Sequence, residues 1–242
     1  MTFPILIRKL HKWIGLVVGI QILLWVSGGV IMSVFDIEEV RGNHNKATQE
    51  VVPLSGPAIT YDAGALLRDL ERQGQGTSEL RLLNWRGQPV WRIKVDGREA
   101  LISARSGERL TPIGEQDAVS LAVKDFAGAP DISRVTLIEA PLGEIRGRDL
   151  PLWQVQMADP ENTRIYVSPD NGRVVARRND TWRLYDFFWM LHIMDYEERQ
   201  DFNNPLLVTA AGVAWVMAFS GLALLIWMLF KRDIPAWRRR RS

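Results

Sequence analysis

The stretch "WIGLVVGIQILLWVSGGVIMSVF" (residues 13–35) decides the architecture of this chain of 242 residues, because Gln21 is its only strongly polar side chain. A helix of about 20 mostly apolar residues is long enough to cross a bilayer. A second stretch, "PLLVTAAGVAWVMAFSGLALLIWMLF" (residues 205–230), contains no charged side chain. We therefore expect two transmembrane helices, with a soluble domain between them.

The first stretch differs from a cleaved signal peptide, whose apolar run is usually about 7–15 residues long. It leads into "DIEEVRG", which contains no small-residue cleavage site of the A-x-A kind. The sequence therefore predicts an uncleaved membrane anchor.

Charged residues flank the two stretches unevenly. Residues 1–12 and the tail 231–242 are basic, whereas the inner flanks "DIEEV" and "DYEERQDFNN" are mainly acidic. Because cytoplasmic loops carry the excess of Lys and Arg, we expect both termini in the cytoplasm and residues 37–204 on the opposite side of the membrane. The same rule explains the run "RRRR", so we expect no nucleic-acid partner.

The segment between the two stretches repeats one order of elements. Residues 57–113 contain a helical pattern, "YDAGALLRDLERQ", followed by three short strand patterns, and residues 114–180 contain "EQDAVSLAVKDFA" followed by three more. Three pairs of landmarks align: Trp91 with Trp153, Ser103 with Ser168, and Gly107 with Gly172. We therefore predict an α+β membrane protein with two tandem units, each of one helix and about three antiparallel strands.

Four motifs at the two spans resemble the PepSY-associated transmembrane family: "RKLHKWIGLVVG", "LLWVSGG", "WRLYDFFWMLHIMDY" and "AFSGLALLIW". The repeated unit, which ends in S-x-x-x-G-[RE], resembles the PepSY domain. The resemblance implies a bacterial inner-membrane protein with two PepSY-like units in the periplasm. Larger relatives have four or more spans and include membrane reductases implicated in iron–siderophore uptake, some with haem held by membrane histidines.

Two of the three histidines lie beside the spans. His11 precedes the first span, and His192 lies in residues 181–196, which we predict to form an interfacial helix before the second span. A span of this length separates the two membrane faces by roughly 30 Å, so both histidines of one chain cannot bind one iron. The resemblance implies that they are axial ligands of haem b, each completed by the same residue of a second chain. The alternative is that both are interfacial anchors.

Small and polar residues in the two spans predict close helix packing. They comprise a GxxxG pair, one glutamine, a Ser-Gly pair in each span and alanines at every fourth position: Gly15, Gly19, Gln21, Ser27, Gly28, Ala210, Ala214, Ala218, Ser220 and Gly221. The pattern fits packing within one chain, and it also fits a homodimer, whose four spans would match the larger relatives in number.

The sequence lacks the residue patterns of familiar catalytic sites. It contains no cysteine, no G-x-S-x-G elbow, no H-E-x-x-H, no Walker loop and no dinucleotide fingerprint. We therefore expect no enzyme activity from the chain alone, unless it is a component of a haem-dependent membrane ferric reductase.

Two functions remain open at this point. The first is an accessory or regulatory protein whose periplasmic domain binds another membrane or periplasmic protein, in a system linked to iron uptake or redox. The second is a homodimeric bis-histidine haem b protein that carries electrons across the membrane for ferric-siderophore reduction.

Overall fold

The structure, a computed structural model, describes residues 3–48, 52–54, 56–128 and 131–239, and the side chains between residues 12 and 230 of these ranges. The chain divides into two compact units. We call residues 1–35 and 184–242 the membrane unit, and residues 36–183 the central unit.

Helices and strands alternate in an α+β order within the described ranges, as the sequence predicted. The helices are α1 (Phe3–Val34), α2 (Ile37–Val40), α3 (Ala63–Arg72), α4 (Glu115–Asp125), α5 (Asp180–Ile193) and α6 (Pro205–Arg239), with 3-10 turns at Gly56–Ala58 and Gly143–Ile145. The strands are β1 (Glu79–Trp85), β2 (Gln88–Val95), β3 (Arg98–Ser103), β4 (Ile132–Ile138), β5 (Leu152–Met157), β6 (Arg164–Val167) and β7 (Val174–Arg178).

The membrane unit contains two helices that are long and apolar enough to cross a bilayer, over Lys12–Val34 in α1 and Pro205–Phe230 in α6, each with a mean hydropathy of 2.2. Only 6 % and 0 % of the residues in their most apolar windows are buried. The core helix of a soluble protein is mostly buried, so these apolar faces need lipid to cover them. α1 approaches α6 at Gly15, where a Cβ would lie 3.3 Å from the Met217 methyl carbon.

The first repeat of the central unit is a three-stranded antiparallel sheet in the order β1-β2-β3. α3 starts at Asp62, whose side chain accepts a hydrogen bond from the Ala65 N–H at 2.7 Å, as an N-cap does. Leu66 and Leu70, one helical turn apart, bury the inner face of α3 against β2 and β3. The helix therefore covers one face of the sheet, while Val90 and Leu101 on the other face are buried by other parts of the central unit.

The second repeat is a four-stranded antiparallel sheet in the order β4-β5-β6-β7. Ala118 and Ala122 of α4 pack against Val155 and Ile165 of this sheet, and all four side chains are fully buried. The sheet has one strand more than the sequence pattern suggested, because the segment after Gly172 pairs with β6 as a full strand.

The longer connection between β4 and β5 covers the opposite face of the second sheet. Glu144, in its 3-10 turn, accepts hydrogen bonds from Arg164 at 2.9 Å, Arg183 at 2.8 Å and the Tyr166 hydroxyl at 2.6 Å. Burial raises the pKa of Tyr166 above its ordinary value, and the bond to Glu144 raises it further. The tyrosine therefore remains a protonated donor in this buried cluster.

The two repeats share their local hydrogen bonds as well as their order. Trp91 Nε1 donates to the Tyr61 carbonyl at 2.8 Å, and Trp153 Nε1 donates to the Ile113 carbonyl at 3.1 Å. Each bond ties a strand to the residue that enters the helix of its repeat. The Ser-x-x-x-Gly turns match as well, since the glycine N–H donates to the serine carbonyl at 2.9 Å in both.

The two repeats pack on each other through Trp85, at the end of β1. Its ring lies against the core that α4 forms with the second sheet. A Cβ on Gly172 would lie only 2.6 Å from Trp85 Nε1, and Gly172 has a φ of +60°. Only glycine combines this turn conformation with such a close approach.

We expect Gly172→Ala to destabilise the chain by about 1–3 kcal/mol more than a substitution that only strains a turn, because the added methyl group overlaps the indole. The matched control is Gly87→Ala, since Gly87 has a φ of +83° but nothing within 4 Å of its Cβ position. The measurement is the Tm of the full-length protein in detergent. Equal Tm losses for both variants would contradict the packing of Trp85 on Gly172.

Candidate functional site in the membrane unit

His192 lies in the last turn of α5, and Asn204 fixes the end of that helix. Asn204 Nδ2 donates to the Ile193 carbonyl at 2.9 Å, while Asn204 Oδ1 accepts from the Leu207 N–H in the first turn of α6 at 2.8 Å. One side chain therefore caps the carboxyl end of α5 and the amino end of α6. This link holds His192 in a fixed place beside the second apolar helix.

The loop between α5 and α6 folds back on α5. Arg199 forms an ion pair with the buried Asp186, and the Trp189 indole N–H donates to the Arg199 carbonyl at 3.2 Å. The Phe202 ring meets Trp189 edge-on, with ring centroids 5.3 Å apart. These contacts hold the loop beside His192.

Asp195 organises the same loop from within. The backbone N–H groups of Asp201 and Gln200 donate to its carboxylate at 3.0 and 2.9 Å. The bond from the Asp201 N–H contributes most, and together these donors hold the pKa of Asp195 well below its ordinary value. The loop is therefore held by an ionised carboxylate at neutral pH, and this hold is lost only when strong acid protonates the group.

α1 contributes Gly28, which is buried against α5. A Cβ on Gly28 would lie 3.5 Å from His192 Nδ1 and 3.5 Å from the Phe188 carbonyl oxygen. The backbone of α1 therefore touches the imidazole ring and the backbone of α5 at one point. A small residue is needed for this contact, as in other close helix crossings in membranes.

Among the described side chains of the membrane unit, three buried polar atoms have no hydrogen-bond partner: Gln21 Nε2, Trp25 Nε1 and His192 Nδ1. Residues 21, 25 and 28 lie on one face of α1, since they are separated by one and two helical turns. We call Gln21, Trp25, Gly28 and His192 the polar seam. Unpaired buried polar groups are rare and cost about 1–3 kcal/mol each, so this seam is a costly feature of the membrane unit.

A cavity of about 440 Å³ adjoins the polar seam. It is lined by His192 and by five apolar or aromatic residues: Trp25, Trp189, Ile193, Phe202 and Leu207. Its volume falls in the range of about 300–1,000 Å³ that small-molecule sites occupy. The lining suits a ligand with an apolar, flat body and one atom that binds an imidazole nitrogen.

The other two histidines are not part of this cavity. His11 is 17 residues before Gly28 on the continuous helix α1, which places its backbone about 25 Å away along the axis; its side chain lies outside the described residues. His44, in the central unit, has its Nε2 bound to the carboxylate of Glu161 at 3.0 and 3.1 Å.

The small residues that the sequence singled out fall into three groups. Gly15, Ala210 and Ala214 lie on partly buried positions of α1 and α6. Gly19 and Gly221 have nothing within 4 Å of their Cβ positions. The remaining side chains are Ser220, which bonds the Met217 carbonyl at 2.9 Å, and Ser27 and Ala218, which are exposed. Gly19 and Gly221 are therefore small residues with open space beside them.

Within the residues that the structure describes, no group of three or more His, Cys, Asp or Glu side chains is placed to hold a metal ion. Sequence reasoning did not find Asp186, Arg199 and Asn204, which position the site, because their contacts join residues 10 to 13 positions apart in no regular period.

The fold and this site define a two-span membrane protein with a two-repeat α+β module between its spans. The chain matches the model of the family described as PepSY-associated TM region over residues 8–242. It therefore belongs to the PepSY-associated TM family. No curated protein and no solved structure matches it.

Gly28→Leu should displace His192, because the leucine side chain fills the space where the imidazole and the Phe188 carbonyl lie. We expect a loss of about 1–3 kcal/mol, typical of overpacking. Gly29→Leu is the matched control, since nothing lies within 4 Å of its Cβ position.

The Tm of the purified protein in detergent checks this expectation. If Gly28→Leu is as stable as Gly29→Leu, the contact between α1 and α5 does not exist in the purified protein.

Proposed function

We propose that this protein is a haem b protein of the bacterial inner membrane, which works as a homodimer in ferric-siderophore reduction. One observation carries the proposal: the His192 ring lines a cavity with aromatic walls in the membrane unit, while its Nδ1 is buried against Gly28 of α1. The residues present fit the group, because a porphyrin needs apolar faces and an imidazole for its iron. Bound there, a haem supplies one-electron transfer.

The chain's own residues hold and shield the site in this proposal. Gly28 allows the His192 ring to lie against α1, and Asn204 fixes the end of the helix that carries it. Trp189 and Phe202 keep water away from the ring. Each of these groups acts before any ligand binds, so the site is preorganised.

The homodimer follows from the shortage of ligands. Within one chain, His11 is about 25 Å from the level of His192 along α1, and His44 is bound to Glu161. A bis-histidine site therefore requires His192 from two chains, and a second such site requires His11 from two chains. The open positions at Gly19 and Gly221 are where another chain can approach closely.

The proposal places both termini in the cytoplasm and the central unit in the periplasm, supported by the basic segments at both ends of the chain. Since the chain has no cysteine, single cysteines at Ser106 and Ser242 report their sides unambiguously. A membrane-impermeant maleimide added to cells with a permeable outer membrane should label only Ser106→Cys, and the reverse result overturns the orientation.

We expect the protein purified from haem-replete cells to show the reduced-minus-oxidised α-band of b haem. His192→Ala should lose about half of the haem, because the second site at His11 remains, and His11→Ala combined with His192→Ala should lose all of it. The matched control is His44→Ala, which removes a histidine with a partner of its own and should keep the full spectrum. A colourless wild-type protein, or a spectrum that His192→Ala leaves unchanged, contradicts the proposal.

The second candidate function is an accessory protein whose periplasmic domain binds another protein of the iron-uptake system. It is favoured by the edge strand β4, which pairs only with β5 among the described residues and exposes Leu137. An open edge can accept an added strand from a partner. Such a partner would also supply the electrons, since the chain has no nucleotide-binding motif of its own.

A photo-crosslinking residue at Leu137 tests this second function in native cells. We expect one discrete adduct there and none at Val123, which is equally exposed at 37 % but lies on α4. No adduct at Leu137, or the same adducts at both positions, would exclude the β4 edge as a docking surface.

A further inference from the structure

A second cavity, of about 410 Å³, lies in the central unit where the two repeats meet. One wall is the face of the first sheet that α3 leaves uncovered, and the other is formed by α4 and the turn between β6 and β7. Its apolar lining comprises Leu83, Trp85, Leu101, Leu121 and Val174. We call this space the junction cavity.

Cations dominate the polar lining of the junction cavity. Six line it: Lys46, Arg86, Arg92, Lys124, Arg173 and Arg177. Among the described residues, the one carboxylate in the lining is Asp125, which is 3 % exposed and is bound by two N–H groups of Arg177. The charges of Asp125 and Arg177 therefore neutralise each other.

Neighbouring carboxylates neutralise two further cations. Arg86 pairs with Asp117, and Arg92 lies 3.4 Å from Glu79 and 3.8 Å from Glu99. Among the residues that the structure describes, the other three cations form no ion pair: Lys46, Lys124 and Arg173. The junction cavity therefore carries an uncompensated positive charge, which attracts anions.

A buried donor inside the cavity also lacks an acceptor. Arg92 Nε has no hydrogen-bond partner, and its side chain is 14 % exposed. A buried N–H without an acceptor indicates a missing water or ion. The Glu99 carboxylate lies 3.8 Å from this Nε, too far for a hydrogen bond, so the N–H can still donate to a ligand oxygen.

We infer that the junction cavity binds a small organic anion that carries carboxylate or phosphate groups. Its apolar body would lie against Trp85, and its oxygens would face Arg92 and the three uncompensated cations. The cavity volume lies within the range of small-molecule sites. The inference is independent of any group at His192.

Such a ligand would tighten the junction between the two repeats. Lys46 precedes the first repeat, Arg92 lies on β2, Lys124 on α4 and Arg173 in the last turn of the second repeat. One anion therefore contacts four separate segments of the central unit, and its binding stabilises their arrangement.

Binding is measured by the Tm shift and by calorimetry of the full-length protein in detergent, with citrate and pyrophosphate as separate probes at about 0.15 M salt, where distant charges are screened. We expect saturable binding of at least one probe below about 10 mM. Citrate alone indicates a carboxylate ligand, and pyrophosphate alone indicates a phosphate ligand. Lys124→Gln and Arg173→Gln should each weaken binding about tenfold, as expected when a charged hydrogen bond is lost.

The control variant is Arg105→Gln, which removes an exposed cation of the same unit that does not line the cavity. It should leave the affinity unchanged. Absence of saturable binding for both probes overturns the inference, as does an equal loss in all three variants. Binding only to vesicles of acidic lipid also overturns it, because the cationic patch would then be a membrane contact.

Discussion

The membrane unit depends on the contact between Gly28 of α1 and the last turns of α5. The missing side chain at this position lets the imidazole of His192 lie 3.5 Å from where a Cβ would be, inside a unit with otherwise apolar helices. Lipid cannot satisfy a polar ring, so its position must be set by protein contacts. Asn204, the Asp186–Arg199 pair and the Trp189–Phe202 contact supply those restraints. The result is a polar seam that is held rigidly but is not internally satisfied.

In the central unit, too, glycines allow an aromatic ring to lie close to the backbone. Gly107 and Gly172 lie in the turns that follow equivalent strands of the two repeats. At each glycine an aromatic ring occupies the space that a side chain would need. Gly107 lies beside Tyr61 of its own repeat, whereas Gly172 lies beside Trp85 of the other repeat. The Gly107 contact is therefore internal to the first repeat, whereas the Gly172 contact joins the second repeat to the first. The junction cavity lies between surfaces of the two repeats that the Gly172–Trp85 contact helps to bring together.

Local patterns in the sequence were sufficient for much of this architecture. Uninterrupted apolar stretches identified the two membrane helices, and the aligned Trp91–Trp153 and Gly107–Gly172 pairs revealed the repeat. The fourth strand of the second sheet was missed because "DNGRVV" resembles a turn, and only pairing with β6 makes its last residues a strand. The seam around His192 was not predictable, because Asn204 and Arg199 reach it through a loop with no periodicity. Likewise, the charges of Lys46, Lys124 and Arg173 converge only after both repeats have folded.

The central claim is that the His192 residues of two chains hold one haem between them. Native mass spectrometry of the His11→Ala variant in detergent tests this claim most directly. With the site at His11 removed, the account predicts a dimer that carries one haem for every two chains, and a haem-free protein when His192→Ala is added. A monomer with its own haem, or a dimer of wild-type chains without any, would contradict it.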